Sequence, residues 1–177
     1  MTAMALAKQL LSSNDQTWAT PRAFFERLDA IFHFRLDPCA AHETAKCNAY
    51  FTKDDDGLRQ KWAAIGNAFV NPPYGRELPK WMRKSNEEAA NGITVVMLIP
   101  ARVDTSYWHD IAFQHASCVC FIRGRLTFEL HGLEAPPGHE MSAPFPSAIV
   151  VFGPCSVEQM RCLEQFGKVF AVNRYDN

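Results

Sequence analysis

The sequence predicts a single α/β domain built on a central, mostly parallel β-sheet. Three observations carry this expectation. The chain has 177 residues, 47% apolar and 21% charged, which suits one globular domain with its own core. Short apolar, β-branched runs alternate with stretches of helical spacing. Several of those runs stop at a proline, which leaves polar residues at the strand ends.

Residues 1–17 read as an N-terminal arm ahead of a domain spanning 18–177. Pro21 can open a helix whose apolar face is Phe24, Phe25, Leu28 and Ile31. Residues 32–36 read as a short strand ending at Asp37-Pro38. Residues 67–70 form a second strand, cut off by Asn71-Pro72-Pro73-Tyr74-Gly75. Helical spacing runs over 79–91, with Gly92 as its stop. Residues 93–99 are a near-continuous apolar run, the mark of a buried central strand, and end at Pro100. A helix over 105–115, strands over 117–122 and 126–130, and a Gly/Pro/His-rich loop over 131–146 follow. The chain closes with a strand over 148–152, a helix over 156–166 and a strand over 169–172. In sheets of this class ligands sit beyond the carboxyl ends of the strands. Asp37-Pro38, Asn71 to Tyr74, and Pro100-Ala101-Arg102 are expected to meet at one rim.

Composition limits the function classes. No apolar run reaches the length of a membrane span; the longest, 93–101, is about nine residues. The N-terminus lacks the pattern of a signal peptide. The six cysteines form no Cys-x-x-Cys pair and read as reduced thiols of a cytoplasmic protein. Cys39, His42 and Cys47 lie close together, but a fourth ligand at zinc spacing is missing, so no metal is expected. Net charge is −1, so any nucleic-acid partner must be met by a local basic patch.

Asn71-Pro72-Pro73-Tyr74 is the most specific signal. It resembles the Asp/Asn-Pro-Pro-Tyr motif of S-adenosylmethionine-dependent amino-methyltransferases. An exocyclic amine conjugated to a ring is a poor nucleophile. Two acceptors, the Asn71 side-chain carbonyl and the Pro72 main-chain carbonyl, can hold its hydrogens and favour a more tetrahedral nitrogen. Pro73 restricts Pro72 to an extended conformation and adds no competing N–H. Tyr74 can stack on a flat base, worth ~1–3 kcal/mol. Alignment supplies the catalysis. The alternative is a strand-to-turn junction in which Asn and prolines only end an element.

More of the chain points the same way. Trp18-Ala19-Thr20-Pro21, Leu36-Asp37-Pro38-Cys39-Ala40, Asp56-Gly57-Leu58, residues 69–75, 98–104, Gly124-Arg125-Leu126-Thr127-Phe128 and 144–152 occur in order. Together they resemble the phage-type Dam family of DNA adenine methyltransferases. The resemblance implies a Rossmann-like S-adenosylmethionine-dependent methyltransferase fold, with helices on both sheet faces. It implies methyl transfer to the exocyclic 6-amino group of a flipped adenine in duplex DNA, with S-adenosylhomocysteine as product. It also implies roles. Trp18, Thr20 and Pro21 would help hold the methionine moiety. Asp37 and Pro38, followed by Cys39 and Ala40, would form the first cofactor motif, and Asn71 would adjoin the cofactor. Asp56 is a candidate for the cofactor adenine, in a register that Asp54 and Asp55 leave open. The family's wider class places a glycine-rich turn after the first strand; here small Ala40 and Ala41 stand in its place.

DNA contacts are expected from Arg76, Lys80, Arg83 and Lys84, of which the last three share a helix face. The alternative is an ordinary solvated face. Arg102 and Asp104 could border the base pocket, or Asp104 could cap the next helix. Phe128 is a second stacking face or a core residue. Arg123 and Arg125 could meet the backbone. Residues 131–143 are a sequence-reading loop or a plain connection. Base flipping follows from the need to reach an atom inside the duplex. The chain would act as a monomer or homodimer. The rival readings are a methyltransferase for protein glutamine or RNA guanine, and a non-catalytic nucleic-acid-binding scaffold.

Overall fold

The computed structural model describes residues 19–129 and 142–172. The arm 1–17, Trp18, Leu130 and most of the proposed reading loop lie outside the described residues.

Helix α1, Arg22–Phe32, forms where its apolar spacing predicts and buries Phe24, Phe25, Leu28 and Phe32. Its C-terminus is closed by His33 in the left-handed region. Phe32 therefore ends a helix rather than opening a strand, and β1 is only Leu36–Asp37. A two-residue strand, β2, Ala49–Tyr50, has no counterpart among the sequence expectations. A 3₁₀ turn, Gly57–Arg59, leads to β3, Ala68–Val70. Helix α2, Leu78–Ala89, takes Pro79 in its first turn, where a missing N–H costs nothing. Strand β4, Val95–Pro100, is followed by a π-helical segment, Trp108–Ala112, that runs into α3, Phe113–His115. Then come β5, Cys118–Ile122, β6, Ser147–Phe152, α4, Val157–Leu163, and β7, Gly167–Ala171. Helix α4 opens with a capping box between Ser156 and Gln159. Residues 126–129, expected as a strand, make only isolated bridges, Ala19 to Glu129 and Thr127 to Ser142.

All seven strands join one sheet in the order β2-β1-β3-β4-β6-β5-β7. Pairs β1–β2, β1–β3 and β3–β4 are parallel. Pairs β4–β6, β5–β6 and β5–β7 are antiparallel, with six, four and five paired positions against one to three in each parallel pair. The expectation of a mostly parallel sheet is thus corrected: most of the ladder is antiparallel. The reason is physical. Strands β4 and β6 are buried at every residue, and such a run marks burial on both faces without marking direction. One reversed strand, β6, between β4 and β5 turns two interfaces antiparallel.

The parallel half positions the site. Strands β1, β3 and β4 are neighbours with a common direction. Asp37, the Asn71 loop and Pro100 therefore emerge on the same side of the sheet. On one helical layer α1 packs against α4, with Phe24 edge-on to Phe166. Helix α2 packs on β4 and the π-helical segment.

Candidate active site

Strand β3 stops at Val70 because Pro72 and Pro73 carry no N–H for a ladder. Asn71 is half-buried, Pro72 buried, Pro73 exposed and Tyr74 buried. Asn71 Nδ2 donates to Thr20 Oγ1 at 3.0 Å. Tyr74 OH donates to Asn71 Oδ1 at 2.7 Å, with Leu98 O of β4 a longer second acceptor at 3.3 Å. Thr20, Asn71 and Tyr74 thus form one hydrogen-bonded chain from the N-terminal motif to the central strand. Burial foremost, and the nearby Cys39 thiol second, push the Tyr74 phenol above its ordinary range. It stays a donor at neutral pH. Its ring packs edge-on against Phe128 and Phe145, with centroids 6.3 and 5.4 Å away. Phe128 is buried, so it is both a core residue and the neighbour of Tyr74.

Asp37 ends β1 and is buried. Its Oδ2 accepts from the Lys46 main chain at 3.1 Å and its Oδ1 from Cys39 N at 3.4 Å. Burial pushes the carboxyl up to about 6, against the opposing pull of those two N–H groups and the Lys46 charge. Pro38 is buried, and Cys39 and Ala40 are half-buried. Burial raises the Cys39 thiol far above its usual value, so it is not a nucleophile. His42 Nδ1 lies 2.9 Å from Tyr50 OH. Among the described residues no group of three potential ligands could hold a metal ion.

The segment 56–58 reaches the same place by a close approach. A Cβ on Gly57 would lie 2.0 Å from Pro38 O, so only glycine lets the two main chains touch. Asp56, beside it, is exposed and pairs with Arg59 at 3.4 Å. The Asp55 carboxylate is occupied by Thr52 N and Oγ1, at 2.8 and 2.7 Å.

The basic residues separate. Arg76 and Arg83 are exposed. Lys80 is exposed and pairs with Glu77 at 3.0 Å. Lys84 is largely covered, pairs with Glu88, and lies over the Trp62 ring. Arg102, Asp104, Arg123 and Arg125 are exposed. Arg102 and Asp104 sit on the turn directly after β4.

Two residues of the site escaped sequence reasoning. Lys46 and Glu129 form a buried ion pair, 2.9 Å apart, next to Asp37 and Phe128. Eighty-three positions separate them, and no local pattern relates such distant charges.

An α/β protein with Asn-Pro-Pro-Tyr at one strand end and a buried aspartate at the neighbouring one has the layout of an amino-methyltransferase. The model of the family described as DNA N-6-adenine-methyltransferase (Dam) matches residues 7–170, and the chain belongs to that family. It is 28% identical over 118 residues to a DNA N-6-adenine-methyltransferase of Escherichia phage T1, covering 66% of this chain and 49% of the relative. It is 30% identical over 112 residues to a DNA N-6-adenine-methyltransferase of Haemophilus phage HP1 (strain HP1c1), covering 62% and 64%. The aligned region thus spans about half to under two thirds of these curated relatives.

Proposed function

We propose that this chain transfers the methyl group of S-adenosylmethionine to the exocyclic 6-amino group of an adenine extruded from duplex DNA. The observation that carries the reading is the meeting of Asn71 to Tyr74 with Asp37 on one side of the sheet, where Thr20 holds Asn71 and Cys39 lies between Asp37 and Tyr74.

The residues fit the cofactor. Asp37 is a buried carboxylate that accepts, among the described residues, from two main-chain donors, and it has a raised affinity for protons. Donors from a bound ligand would stabilise its charged form. Bound S-adenosylmethionine supplies an electrophilic methyl group on a sulfonium. Thr20, Pro21, Asp37, Pro38, Cys39, Ala40 and Asn71 would hold it, with Trp18 ahead of them and Asp56 at the edge.

The chain's own work is orientation. Thr20 fixes the Asn71 amide by its nitrogen, which leaves Oδ1 directed at Tyr74. An adenine amine entering the site takes the place of the Tyr74 hydroxyl on Oδ1 and gives its other hydrogen to Pro72 O. Release of that hydroxyl lets Tyr74 turn its ring from Phe128 and Phe145 toward the base. Arg76, Lys80, Arg83, Arg102 and Arg125 would meet phosphates around the pocket, with Asp104 at its border. Lys84, engaged with Glu88, is the least accessible of the set.

The test is incubation with tritiated S-adenosylmethionine and unmethylated genomic DNA, followed by digestion to nucleosides. Label should appear in N6-methyladenine and fall by ~10²-fold or more with Asn71→Ala, the scale of a lost alignment. Cofactor binding without label in DNA would overturn the DNA substrate and favour a protein or RNA amine.

A further inference from the structure

The mechanism above gives no task to the Lys46–Glu129 pair. The two side chains expose only 4% and 6% of their surface. Burying two charges is costly unless each is paired and its remaining valences are hydrogen-bonded. Glu129 meets that condition. Its Oε1 accepts from Arg22 N at 2.6 Å, and its main-chain N donates to Ala19 O at 2.9 Å. Helix α1 begins at Arg22, has no side-chain cap on Pro21 and carries no acidic residue in its first turn. A carboxylate from 107 positions away therefore serves as its cap. On the other side, Lys46 anchors the loop whose main-chain N–H holds Asp37.

We infer that Lys46 and Glu129 are positioning residues for the cofactor site. The pair clamps the Thr20-Pro21 segment, the Asp37 loop and the chain at Phe128 in one register. The inference rests on the proposed S-adenosylmethionine-dependent function. An ion pair with two further directed hydrogen bonds specifies distance and angle, which apolar contact does not. Apolar residues of similar volume could replace the pair without loss of stability. They could not cap α1.

The experiment compares the full chain with Lys46→Met/Glu129→Leu and with Glu129→Gln. Calorimetric titration with S-adenosylmethionine gives Kd, thermal melting gives Tm, and steady-state methylation separates KM from kcat. The double variant is expected to stay folded, to melt a few degrees lower through loss of the α1 cap, and to bind the cofactor about tenfold more weakly. KM for the cofactor rises in proportion, and kcat at saturating cofactor changes less. Glu129→Gln keeps an acceptor for Arg22 N, so about a threefold loss of affinity is expected. Unchanged Kd in either folded variant overturns the positioning role while leaving the methyltransferase reading intact. Absence of cofactor binding by the parent chain overturns both.

Discussion

At the scale of single residues, Asp37 carries opposing demands. Burial disfavours the charge and pushes its carboxyl up to about 6 from an ordinary 3.8. Between those values the folded state binds more protons than the unfolded one. Stability is therefore highest below about pH 4 on this account and falls as pH rises through 6. That difference corresponds to at most about 3 kcal/mol at neutral pH. Asp37→Asn removes that dependence. The difference in melting temperature between variant and parent should move in favour of the variant from pH 4 to pH 7.5, while S-adenosylmethionine affinity falls. A constant difference across that range would show that Asp37 is not destabilised by its own charge. Tyr74 shows how far residue chemistry could be read in advance. Its presence beside Asn71 was legible in the tetrapeptide, as an aromatic stacking face. Its hydroxyl bond to Asn71 Oδ1 lies within the tetrapeptide, but its edge contacts with Phe128 and Phe145 depend on segments more than fifty residues away.

At the scale of elements, the turn at Gly57–Arg59 shows how a scaffold reaches the site. Glu88 on α2 accepts from Trp62 N and Ala63 N, both at 2.9 Å. Trp62 in turn donates from its indole to Gly57 O at 2.8 Å. Gly57 lies against Pro38 O, where an added Cβ would come within 2.0 Å. A relay of directed bonds thus runs from α2 to the loop after β1. Gly57→Ala should force that loop away. Overpacking of this kind costs ~1–3 kcal/mol, which at this chain length lowers Tm by roughly 2–12 °C. Gly75→Ala, whose new carbon meets nothing within 4 Å, should melt like the parent. Equal melting of both variants would refute the close contact. The amphipathic helices α1 and α2 were legible because their period was long enough to recur. Of the two-residue strands, β1 was legible only at its end before Pro38, and β2 not at all, since two residues contain no period.

At the scale of the whole molecule, charge and topology decide how DNA could be met. Net charge is −1, so long-range attraction by the protein as a body is absent and any phosphate contacts must be local. Arg76, directly after the Asn71 loop, and Arg83, on the helix α2 that follows it, are exposed. Each phosphate contact contributes about 0.9 to the slope of log affinity against log salt. Arg76→Ala/Arg83→Ala should weaken duplex binding and lower that slope by about 2, with cofactor affinity unchanged. A slope equal to the parent's would place the DNA elsewhere. Lys84 is a poorer choice for such a test, because its pairing with Glu88 makes its loss a folding defect as well.

What the sequence by itself determined is what depends on neighbours along the chain. The Asn-Pro-Pro-Tyr tetrapeptide, the proline that ends its strand, the apolar faces of α1 and α2 and the buried runs at β4 and β6 all follow from local periodicity and backbone restriction. Tertiary structure decided the direction of β6, because burial on both faces carries no sense of direction. It also decided which cations are spent on internal partners, and it joined Lys46 to Glu129. Coulomb attraction acts through space, and only the folded chain sets which charges share it.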